Sequence, residues 1–570
     1  MGNLIAFNDV TYAYSLQTGE KVTAIENVSF LIDHGERIAI IGANGSGKST
    51  AAKLMNGLLH PQKGEVLVDG KPTSERKHHA QIFSKIGLVF QNPQDQIIAS
   101  LVEEDIAFGP ENLGLEYDDI HQRVQAALEK SGCTHLRQRQ TYLLSAGETQ
   151  KVALAGVLAM QPKCIIFDET TAMLDPKSRI ETLNVMQELN ASGITIIHIT
   201  HYMDEALLAK RVLVLNKGNI VMDGDPRSVF KNAQFLEEIN LSVPLLLQFT
   251  HDLHQKSPFI KEFYQDPQNL LNDLQGLPNS PQSESTYMER EDQRKEILWV
   301  KDLSFCYSKG TPREQQALKD ISFNVCQGDA IGLVGSTGSG KSTLLQHLNG
   351  IYRPQEGAVN VDAFDLADPA VDVRSLRKKV ALIFQQPEEQ FFETFVGDEI
   401  AFAARKLGYT GKLADVVRNA MQTVDLDFEE YKDRPISSLS GGQKRRVALA
   451  SYIVIQPEIY LLDEPFAGLD PKTHQKLVGF VNDLHKDGKT VILSTHDMRD
   501  LSKICERVLM LEKGKKEYFG SIPTFYKNLE KSTSSLRPPL EIQIATILRE
   551  KGYSIPVEAL QWTSILSEIK

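Results

Sequence analysis

The sequence predicts an α/β fold that occurs twice along the chain. In each half a short apolar run, RIAII at 37–41 and AIGLV at 330–334, leads directly into a glycine-rich loop. Two further apolar runs follow in each half, and the first of them ends in a pair of carboxylates. Apolar runs of this length that alternate with helical stretches predict a mostly parallel sheet, with ligands bound at its carboxyl edge.

The two halves are related by a nearly constant offset. Lys48 in GANGSGKST and Lys341 in GSTGSGKST are 293 positions apart (341 − 48), and Asp168 and Asp463 are 295 apart (463 − 168). The insertion that accumulates between these motifs is therefore two residues (295 − 293). Motifs that return at one offset indicate a tandem duplication of a whole domain.

Composition argues against several classes of protein. The chain has 570 residues, of which 41% are hydrophobic, and this is enough for large cores. Its net charge of −12 argues against non-specific attraction to nucleic acid or anionic lipid. Five cysteines without a C-x-x-C pair fit a reducing cytoplasm and predict no metal site. Apolar runs such as 152–160 are shorter than the ~20 residues that span a bilayer, and no leader is recognisable, so we expect a soluble chain.

Helical regions are expected at three places in each half. Helices should follow the glycine loops, over 53–59 and 344–350, and stop before Pro61 and Pro354. Long helix-rich stretches, at about 92–160 and 387–455, predict a helical subdomain in each half. After the last strand of each half, LSVPL at 241–245 and LRPPL at 536–540 align and lead into amphipathic helical patterns. These patterns predict a helical extension at the end of each half.

The pattern G-x-x-x-x-G-K-[ST] gives each glycine loop a defined chemistry. The glycines let backbone N–H groups surround the phosphates of a nucleotide, and the helix that follows favours anions at its N-terminus. The lysine is expected to reach the β- and γ-phosphates, and the serine after it to hold Mg²⁺. The predicted loop residues are Gly42, Asn44, Gly45, Gly47, Lys48, Ser49, Thr50, Gly335, Thr337, Gly338, Gly340, Lys341, Ser342 and Thr343.

Each half also carries an Asp-Glu pair, at 168–169 and 463–464, and a later Thr-His pair, at 200–201 and 495–496. The first carboxylate suits a metal ion, and the second is placed to polarise a water for attack on the γ-phosphorus. The histidine follows the third apolar strand and is expected to contact the γ-phosphate. The predicted catalytic residues are Glu169, Glu464, His201 and His496.

The segment LSGGQ at 439–443, whose serine lies 23 residues before Asp463, resembles the signature of the ABC ATPases. Together with the glycine loops, the carboxylate pairs, the histidines and the aspartates at 175 and 470, this resemblance covers nearly the whole chain. It implies a head-to-tail sandwich, in which each ATP lies between the glycine loop of one half and the signature of the other. The signature residues that it implies are Ser145, Gly147, Ser440, Gly441, Gly442 and Gln443. It further implies Tyr14 and Tyr307 as adenine-stacking residues, and Ser49, Gln91, Asp168, Ser342, Gln385 and Asp463 as Mg²⁺ ligands.

The two composite sites implied by this resemblance are unequal. The first joins the loop and carboxylates of half one with the consensus LSGGQ. The second joins those of half two with LSAGE at 144–148, in which Ala146 stands for a glycine and Glu148 for a glutamine. A methyl group at 146 crowds a close approach of backbone to phosphate. We therefore expect that both sites bind ATP and that the second hydrolyses it more slowly.

Residues 88–115 (LVFQNPQDQIIASLVEEDIAFGPENLGL) are similar to the energy-coupling-factor (ECF) ATPases of vitamin and metal importers. Residues 383–402 (IFQQPEEQFFETFVGDEIAF) resemble the weaker partner pattern, which lacks the Gly-Pro-Glu-Asn tail. The resemblance implies that both ATPases of such an importer are fused here, peripheral on the cytoplasmic face of the cell membrane. The implied partners are a membrane scaffold (T-type) subunit and a membrane substrate-binding (S-type) subunit, with no nucleic acid. The cargo, a vitamin, a vitamin precursor or a transition-metal ion, stays open because a separate membrane subunit recognises it.

The same resemblance implies a groove beside the glutamine loop that grips arginine-bearing coupling helices of the scaffold. The acidic residues next to Gln91 and Gln385 that suit this role are Glu103, Glu104, Asp105, Glu389, Asp398 and Glu399.

Two alternatives from other classes stay open. A soluble tandem ABC ATPase that acts on ribosomes or nucleic acid typically shows Asn-His-Leu-Asp after the carboxylates and a long charged linker, or zinc cysteines. This chain has Met-Leu-Asp, Gly-Leu-Asp and a short linker rich in Pro, Ser and Gln. A tandem sugar importer ATPase usually has one half with degenerate carboxylates, whereas both pairs are intact here.

The predicted boundaries follow from these motifs. They are ABC ATPase domain 1 at 1–240, helical extension 1 at 241–275, a linker at 276–296, ABC ATPase domain 2 at 297–525 and helical extension 2 at 526–570.

Overall fold

The computed structural model describes residues 2–15, 21–172, 174, 176–277, 294–311, 314–385, 390–439, 441–467, 469, 471–529, 536–556 and 560–569. Within these ranges, the side chains of residues 146, 176, 177, 471 and 472 lie outside the description. The chain forms two compact units, one of Met1–His254 with Lys261–Asn269 and the other of Gln255–Ile260 with Leu270–Lys570.

The first unit is built on two sheets. Its strands are β1 (Ile5–Ser15), β2 (Lys21–Ile32), β3 (Arg37–Ile41), β4 (Lys63–Val68), β5 (Lys71–Pro72), β6 (Ile86–Val89), β7 (Cys164–Asp168), β8 (Thr195–Ile199), β9 (Arg211–Asn216) and β10 (Asn219–Gly224). A four-stranded sheet has the order β2-β1-β4-β5, and a six-stranded sheet has the order β10-β9-β3-β8-β7-β6. The six-stranded sheet is parallel except at its edge, where β10 pairs antiparallel with β9.

Helices alternate with these strands and follow them in the first half of the chain. They are α1 (Lys48–Asn56), α2 (His79–Lys85), α3 (Val102–Asn112), α4 (Tyr117–Lys130), α5 (Ala146–Ala159), α6 (Pro176–Ala191), α7 (Met203–Ala206), α8 (Pro226–Phe230), α9 (Ala233–Glu238), α10 (Leu245–Lys256) and α11 (Pro267–Gln275). Helices α3, α4 and α5 form the helical subdomain and share one apolar core with strands β6 and β7. A second core joins the antiparallel sheet, α1 and the parallel sheet.

The second unit repeats this order. Its strands are β11 (Glu296–Tyr307), β12 (Gln315–Cys326), β13 (Ala330–Val334), β14 (Glu356–Val361), β15 (Phe364–Asp365), β16 (Val380–Ile383), β17 (Ile459–Asp463), β18 (Thr490–Ser494), β19 (Arg507–Glu512) and β20 (Lys515–Ser521). The sheet orders are β12-β11-β14-β15 and β16-β17-β18-β13-β19-β20. The helices are α12 (Lys341–Leu348), α13 (Val373–Lys379), α14 (Val396–Leu407), α15 (Leu413–Thr423), α16 (Phe428–Tyr431), α17 (Gly441–Ile453), α18 (Pro471–Lys486), α19 (Met498–Ile504), α20 (Ile522–Leu529), α21 (Leu540–Glu550) and α22 (Trp562–Glu568).

The parallel sheet positions the site. Every residue of β3, β7 and β8 is buried, as expected for strands that helices and a second sheet cover on both faces. The register pairs Ile40 with Ile199 and Ile199 with Asp168, so the three strands end at the same edge. The predicted α/β fold is confirmed, whereas the antiparallel sheet formed no part of the prediction. Strands β1 and β2 alternate buried and exposed positions, and they carry no continuous apolar run.

Among the described residues, no helix combines the length and the apolar character that crossing a bilayer requires.

Candidate active site

The glycine loop of the first unit connects β3 to α1 and encloses its own lysine. Gly47 precedes the helix with φ of 105°, and a Cβ there would lie 2.3 Å from the carbonyl oxygen of Ala24. Only glycine fits this position, because the backbone is left-handed and the space is filled. Lys48 is buried, and its Nζ donates to the carbonyl oxygens of Gly42 at 2.9 Å and Ala43 at 3.2 Å.

Predicted residues from four different strand ends meet at this lysine. The Nζ of Lys48 lies 3.6 Å from Oε1 of Glu169, and the hydroxyl of Ser49 donates to Oδ1 of Asp168 at 3.1 Å. The side-chain amide of Gln91 donates to Oε2 of Glu169 at 2.9 Å. The Nε2 of His201 lies 2.5 Å from Oε1 of the same glutamate. Glu169 is thus held by a lysine, a glutamine and a histidine at once.

Burial and charge give the two carboxylates different protonation behaviour. Burial raises the pKa of Asp168 to about 6, even though Ser49 donates to it. Burial also acts to raise the pKa of Glu169, but the hydrogen bond and charge of His201 and the charge of Lys48 outweigh it, so that this pKa lies below its ordinary value. Glu169 is therefore ionised at neutral pH, as a general base must be.

The two glutamates that are predicted to be catalytic have an unusual backbone. Glu169 has φ of 51° and Glu464 has φ of 48°, in the left-handed region that residues with a side chain rarely adopt. Such strain persists only where the surrounding structure fixes it, and it is concentrated at functional sites.

The second unit repeats the arrangement. The Nζ of Lys341 donates to the carbonyl oxygens of Gly335 at 2.8 Å and Ser336 at 3.2 Å. The amide of Gln385 donates to Oε2 of Glu464 at 2.9 Å, and Nδ1 of His496 lies 3.3 Å from the same oxygen. Burial acts to lower the pKa of His496, but Glu464 outweighs it, and the pKa of this histidine is raised. The two histidines thus present different ring nitrogens to their glutamates.

The metal-binding residues predicted from the sequence fit Mg²⁺ by the chemistry of their donors. Ser342 donates to the buried carboxyl of Asp463, whose pKa burial raises, in the same way that Ser49 donates to Asp168. A hydroxyl and a carboxylate held together in each unit offer the hard oxygen ligands that Mg²⁺ prefers.

The tyrosines predicted to stack on adenine are tied to the glycine loops. The hydroxyl of Tyr14 lies 3.3 Å from Oγ1 of Thr50, and that of Tyr307 lies 2.9 Å from Oγ1 of Thr343. Tyr14 is 38% exposed, as a stacking platform requires. The tip residues of both loops are also exposed, and they are Asn44, Gly45, Thr337 and Gly338.

The signature of the first half forms the N-terminus of α5. Ser145 and Glu148 make a capping box, in which Oε2 of Glu148 accepts from the backbone N–H of Ser145 at 2.8 Å and from its hydroxyl at 2.9 Å. The other carboxylate oxygen accepts from Nη1 of Arg139 at 2.9 Å. The carboxylate that distinguishes LSAGE from the consensus is thus neutralised by its own neighbours. Gly147 lies in the first turn of the same helix.

Part of the predicted signature, and other residues named in the sequence analysis, lie outside the described residues. This applies to Ser440, Asp175, Asp470 and Glu389, and to the side chain of Ala146. Gly441 and Gly442 begin α17, and the amide of Gln443 donates to the hydroxyl of Tyr431 at 3.1 Å.

Several residues that contact the site belong to no motif that the sequence analysis recognised. Glu205, only 2% exposed, accepts hydrogen bonds from Thr171 and Thr200, which lie beside the catalytic pair. In the second unit, Arg445 donates from Nη2 to the carbonyl oxygen of Gln385 at 2.5 Å. A difference between the halves could have drawn attention to the hydroxyls that bind Glu205. Thr-Thr follows the first carboxylate pair, whereas Pro-Phe follows the second.

Comparison with known proteins agrees with this geometry. The family model described as ABC transporter matches residues 25–172 and 318–467. A chain of Caldanaerobacter subterraneus subsp. tengcongensis, provisionally named an ABC transporter ATP-binding protein, is 33% identical over 566 residues, which are 97% of each chain. The energy-coupling factor transporter ATP-binding protein EcfA1 of Clostridium novyi is 47% identical over 252 residues, 44% of this chain and 90% of that protein. A Bacillus subtilis chain, provisionally named the HMP/thiamine import ATP-binding protein YkoD, is 33% identical over 510 residues, 88% of each chain.

Two repeats of one fold, each with a glycine loop and its carboxylates, match one family model over more than half of the residues. The chain binds and hydrolyses ATP, and it belongs to the ABC transporter family, of which it carries two ATPase domains in tandem.

Proposed function

We propose that this chain is the motor of an ECF-type importer and drives uptake through membrane subunits that it does not itself contain. The observation that carries the proposal is the complete set of lysine, carboxylates, glutamine and histidine in both units. The likeness to EcfA1 over 44% of the chain supports the ECF type. The proposed location is the cytoplasmic face of the cell membrane.

The proposed roles follow from the contacts within each unit. Glu169 and Glu464 act as general bases toward the attacking water, and His201 and His496 hold them and contact the γ-phosphate. Lys48 and Lys341 bind the phosphates. Ser49 and Asp168, with Ser342 and Asp463, hold Mg²⁺, which neutralises phosphate charge when bound.

We propose further that the two ATPase halves work as a pair, each signature completing the nucleotide site of the other half. ATP then favours a closed pair and ADP an open one, and this difference in affinity is the driving force. The intact catalytic set of each half supports this arrangement, because a pair that cycles needs hydrolysis to reopen it.

The acidic residues beside the glutamine loops divide into two groups. Glu103 pairs with Arg137, and Asp105 accepts from the backbone N–H groups of Ile98 at 2.7 Å and Ala99 at 2.9 Å. Glu399 is buried and accepts from two backbone N–H groups in the same manner. These three carboxylates brace their own loops. They have less capacity left for a partner than the sequence pattern suggests.

Glu104 and Asp398 are exposed and occupy equivalent positions, in the first turns of α3 and α14. Oδ1 of Asp398 lies 3.6 Å from Nη2 of Arg405, in an exposed ion pair that a partner can replace. We propose that these two carboxylates contact arginines of the membrane scaffold.

The test is co-purification of the tagged chain from detergent-solubilised membranes of its own host, with mass spectrometry of its partners. We expect a polytopic scaffold and a small hydrophobic binding subunit with the parent chain, and loss of both with Glu104→Lys plus Asp398→Lys at unchanged basal ATPase activity. The matched control is Asp118→Lys plus Asp415→Lys, the same charge change in the first turns of α4 and α15. Ribosomal proteins or nucleic acid in place of membrane proteins would overturn the importer assignment.

The proposed cargo is a vitamin, a vitamin precursor or a transition-metal ion. The likeness to the HMP/thiamine import protein over 88% of the chain supports testing a thiamine precursor first. Uptake of labelled precursor by cells that express the chain with its co-purifying subunits, compared with the Lys48→Ala variant, measures this directly. Uptake that does not depend on Lys48 would contradict it.

A further inference from the structure

A buried carboxylate in the first unit joins the two turns that carry the catalytic pair. Glu205 on α7 is 2% exposed, and its Oε2 accepts from the hydroxyls of Thr171 at 2.9 Å and Thr200 at 2.6 Å. Its Oε1 accepts from Nε of Arg179 on α6 at 2.5 Å. Thr171 lies two residues after Glu169, and Thr200 immediately precedes His201.

Arg179 ties this network to a third element. Its guanidinium lies 3.6 Å from the centroid of the Tyr202 ring, and Tyr202 directly follows His201. A cation held against an aromatic face and a carboxylate is restrained in two directions. The turn after Glu169, the turn after β8 and helix α6 are therefore fastened to a single side chain, Glu205.

The network is charged, and its central carboxylate is buried. Burial acts to raise the pKa of Glu205, but the charges of Arg179 and His198 and the hydrogen bonds from Thr200 and Thr171 together outweigh it, and the pKa lies below its ordinary value. The other titratable neighbour is His198, whose Nε2 lies 3.3 Å from Oε2 and whose pKa burial lowers. An ionised carboxylate that accepts short hydrogen bonds in a buried setting fixes the donor groups firmly.

The second unit shows that the fold does not require the hydroxyl of Thr171, whereas Thr495 keeps the hydroxyl of Thr200. At the same offset of 295 residues, Phe466 stands for Thr171, and His474 and Asp500 stand for Arg179 and Glu205. Nε2 of His474 lies 3.1 Å from Oδ2 of Asp500, and the ring of Phe466 packs against that histidine at 5.2 Å between centroids. The same sheet and helices form around an aromatic contact. The hydrogen bond from a hydroxyl at the position of Thr171 is therefore a property of half one alone.

The turn that carries the glutamate is closed in the same way in both units. The backbone N–H of Ala172 donates to the carbonyl oxygen of Glu169 at 3.1 Å, and that of Ala467 donates to the carbonyl oxygen of Glu464 at 3.3 Å. The first of these turns contains Thr171, whose hydroxyl fastens it to Glu205 by a hydrogen bond that Phe466 cannot make.

We propose that Glu205 is a positioning residue for hydrolysis in half one, which holds Glu169 and His201 in their mutual arrangement through the hydroxyls of Thr171 and Thr200. This inference rests on the proposed role of Glu169 as the general base.

The test removes one hydroxyl in a chain in which only half one turns over. In the Glu464→Gln background, Thr171→Val deletes the hydroxyl and keeps a β-branched side chain. We expect kcat to fall about tenfold, the loss of one well-placed hydrogen bond, with KM for ATP within about twofold. Thr171→Ser, which keeps the hydroxyl, restores kcat.

The matched control is Thr182→Val on α6, whose hydroxyl donates only within its helix, to the carbonyl oxygen of Ser178 at 2.8 Å. We expect it to leave kcat unchanged. An unchanged kcat in Thr171→Val would overturn the proposal, and so would a loss that Thr171→Ser fails to rescue or that accompanies an equal loss of ATP binding. Glu169→Gln in the same background tests the base itself, so turnover that survives it counts against the proposed function and not against the positioning role of Glu205 alone.

Discussion

Gly47 and Gly340 show how single residues fix the nucleotide loops. Their φ values of 105° and 102° are left-handed, and a Cβ would lie 2.3 Å and 2.6 Å from the carbonyl oxygens of Ala24 and Ala317, respectively. A side chain at either position would therefore meet both an unfavourable left-handed backbone and a clash with a carbonyl oxygen. The sequence pattern identified the glycines, but only the packing of β2 and β12 against the loops shows the clash.

We expect Gly47→Ala to destabilise the first unit by more than about 1 kcal/mol and to abolish ATP binding there, because neither strain nor clash can relax cheaply. Gly156→Ala, in the middle of α5 with nothing within 4 Å of the added Cβ, should instead stabilise the protein by about 0.5–1 kcal/mol. Chemical denaturation and ATP titration measure both variants. Normal ATP binding by Gly47→Ala at half one would contradict this account.

Helices α5 and α21 each carry a glutamate in the first turn, and the two carboxylates differ in their hydrogen bonding. Glu148 at the start of α5 is satisfied by Ser145 and Arg139. Glu541 in the first turn of α21 is buried, and within the described part of the chain its Oε2 has no hydrogen-bond partner. Burial raises the pKa of Glu541. The equivalent residue of the first half, 295 positions earlier, is the buried apolar Leu246.

A carboxyl whose pKa is raised by folding costs stability above its unfolded pKa of 4.5 and costs nothing below it. We therefore expect Glu541→Gln to raise the melting temperature at pH 8, and the gain over the parent chain to shrink as the pH falls toward 4.5. Thermal unfolding across this range measures it. Glu550→Gln, at the exposed end of the same helix, is the control and should show no such trend. A gain that does not vary with pH would refute the explanation.

For the whole molecule, the tandem repeat supplies two sets of predicted catalytic residues, and the two predicted signatures differ in sequence. In both units a glutamine and a histidine contact the glutamate that is predicted to be catalytic, so the inequality lies in the signatures and in the side chains behind the turns that carry these glutamates. The neutralised Glu148 removes one of the two reasons that the sequence offered for a slower second site.

We expect single Glu169→Gln and Glu464→Gln variants to differ. If the site that uses LSAGE is the slower one, Glu169→Gln removes most of the steady-state ATP turnover, while Glu464→Gln removes less than about half. ATP binding persists in both, because the glycine loops are untouched. Turnover assays with ATP titrations decide the matter, and an equal loss from each variant would rule out the asymmetry.

The sequence by itself determined the duplication, the α/β class, the family and the residues around each lysine. It could do so because phosphate binding requires a local pattern of glycines and lysine directly after a buried strand. In addition, strands of a parallel sheet that is covered on both faces appear in the sequence as continuous apolar runs. It did not give the antiparallel sheet, whose strands alternate and carry no motif.

Only the tertiary structure decided which carboxylates are available and which residues brace the catalytic turns. Asp105 and Glu104 are adjacent in the sequence, yet one caps its own loop and the other is exposed. Thr171, Arg179 and Glu205 are spread over 35 positions (205 − 171 + 1) and meet because α6 and α7 follow neighbouring strands of one sheet. Contacts of this kind depend on distances in space. Strand order and burial set these distances, and no local pattern of residues encodes them.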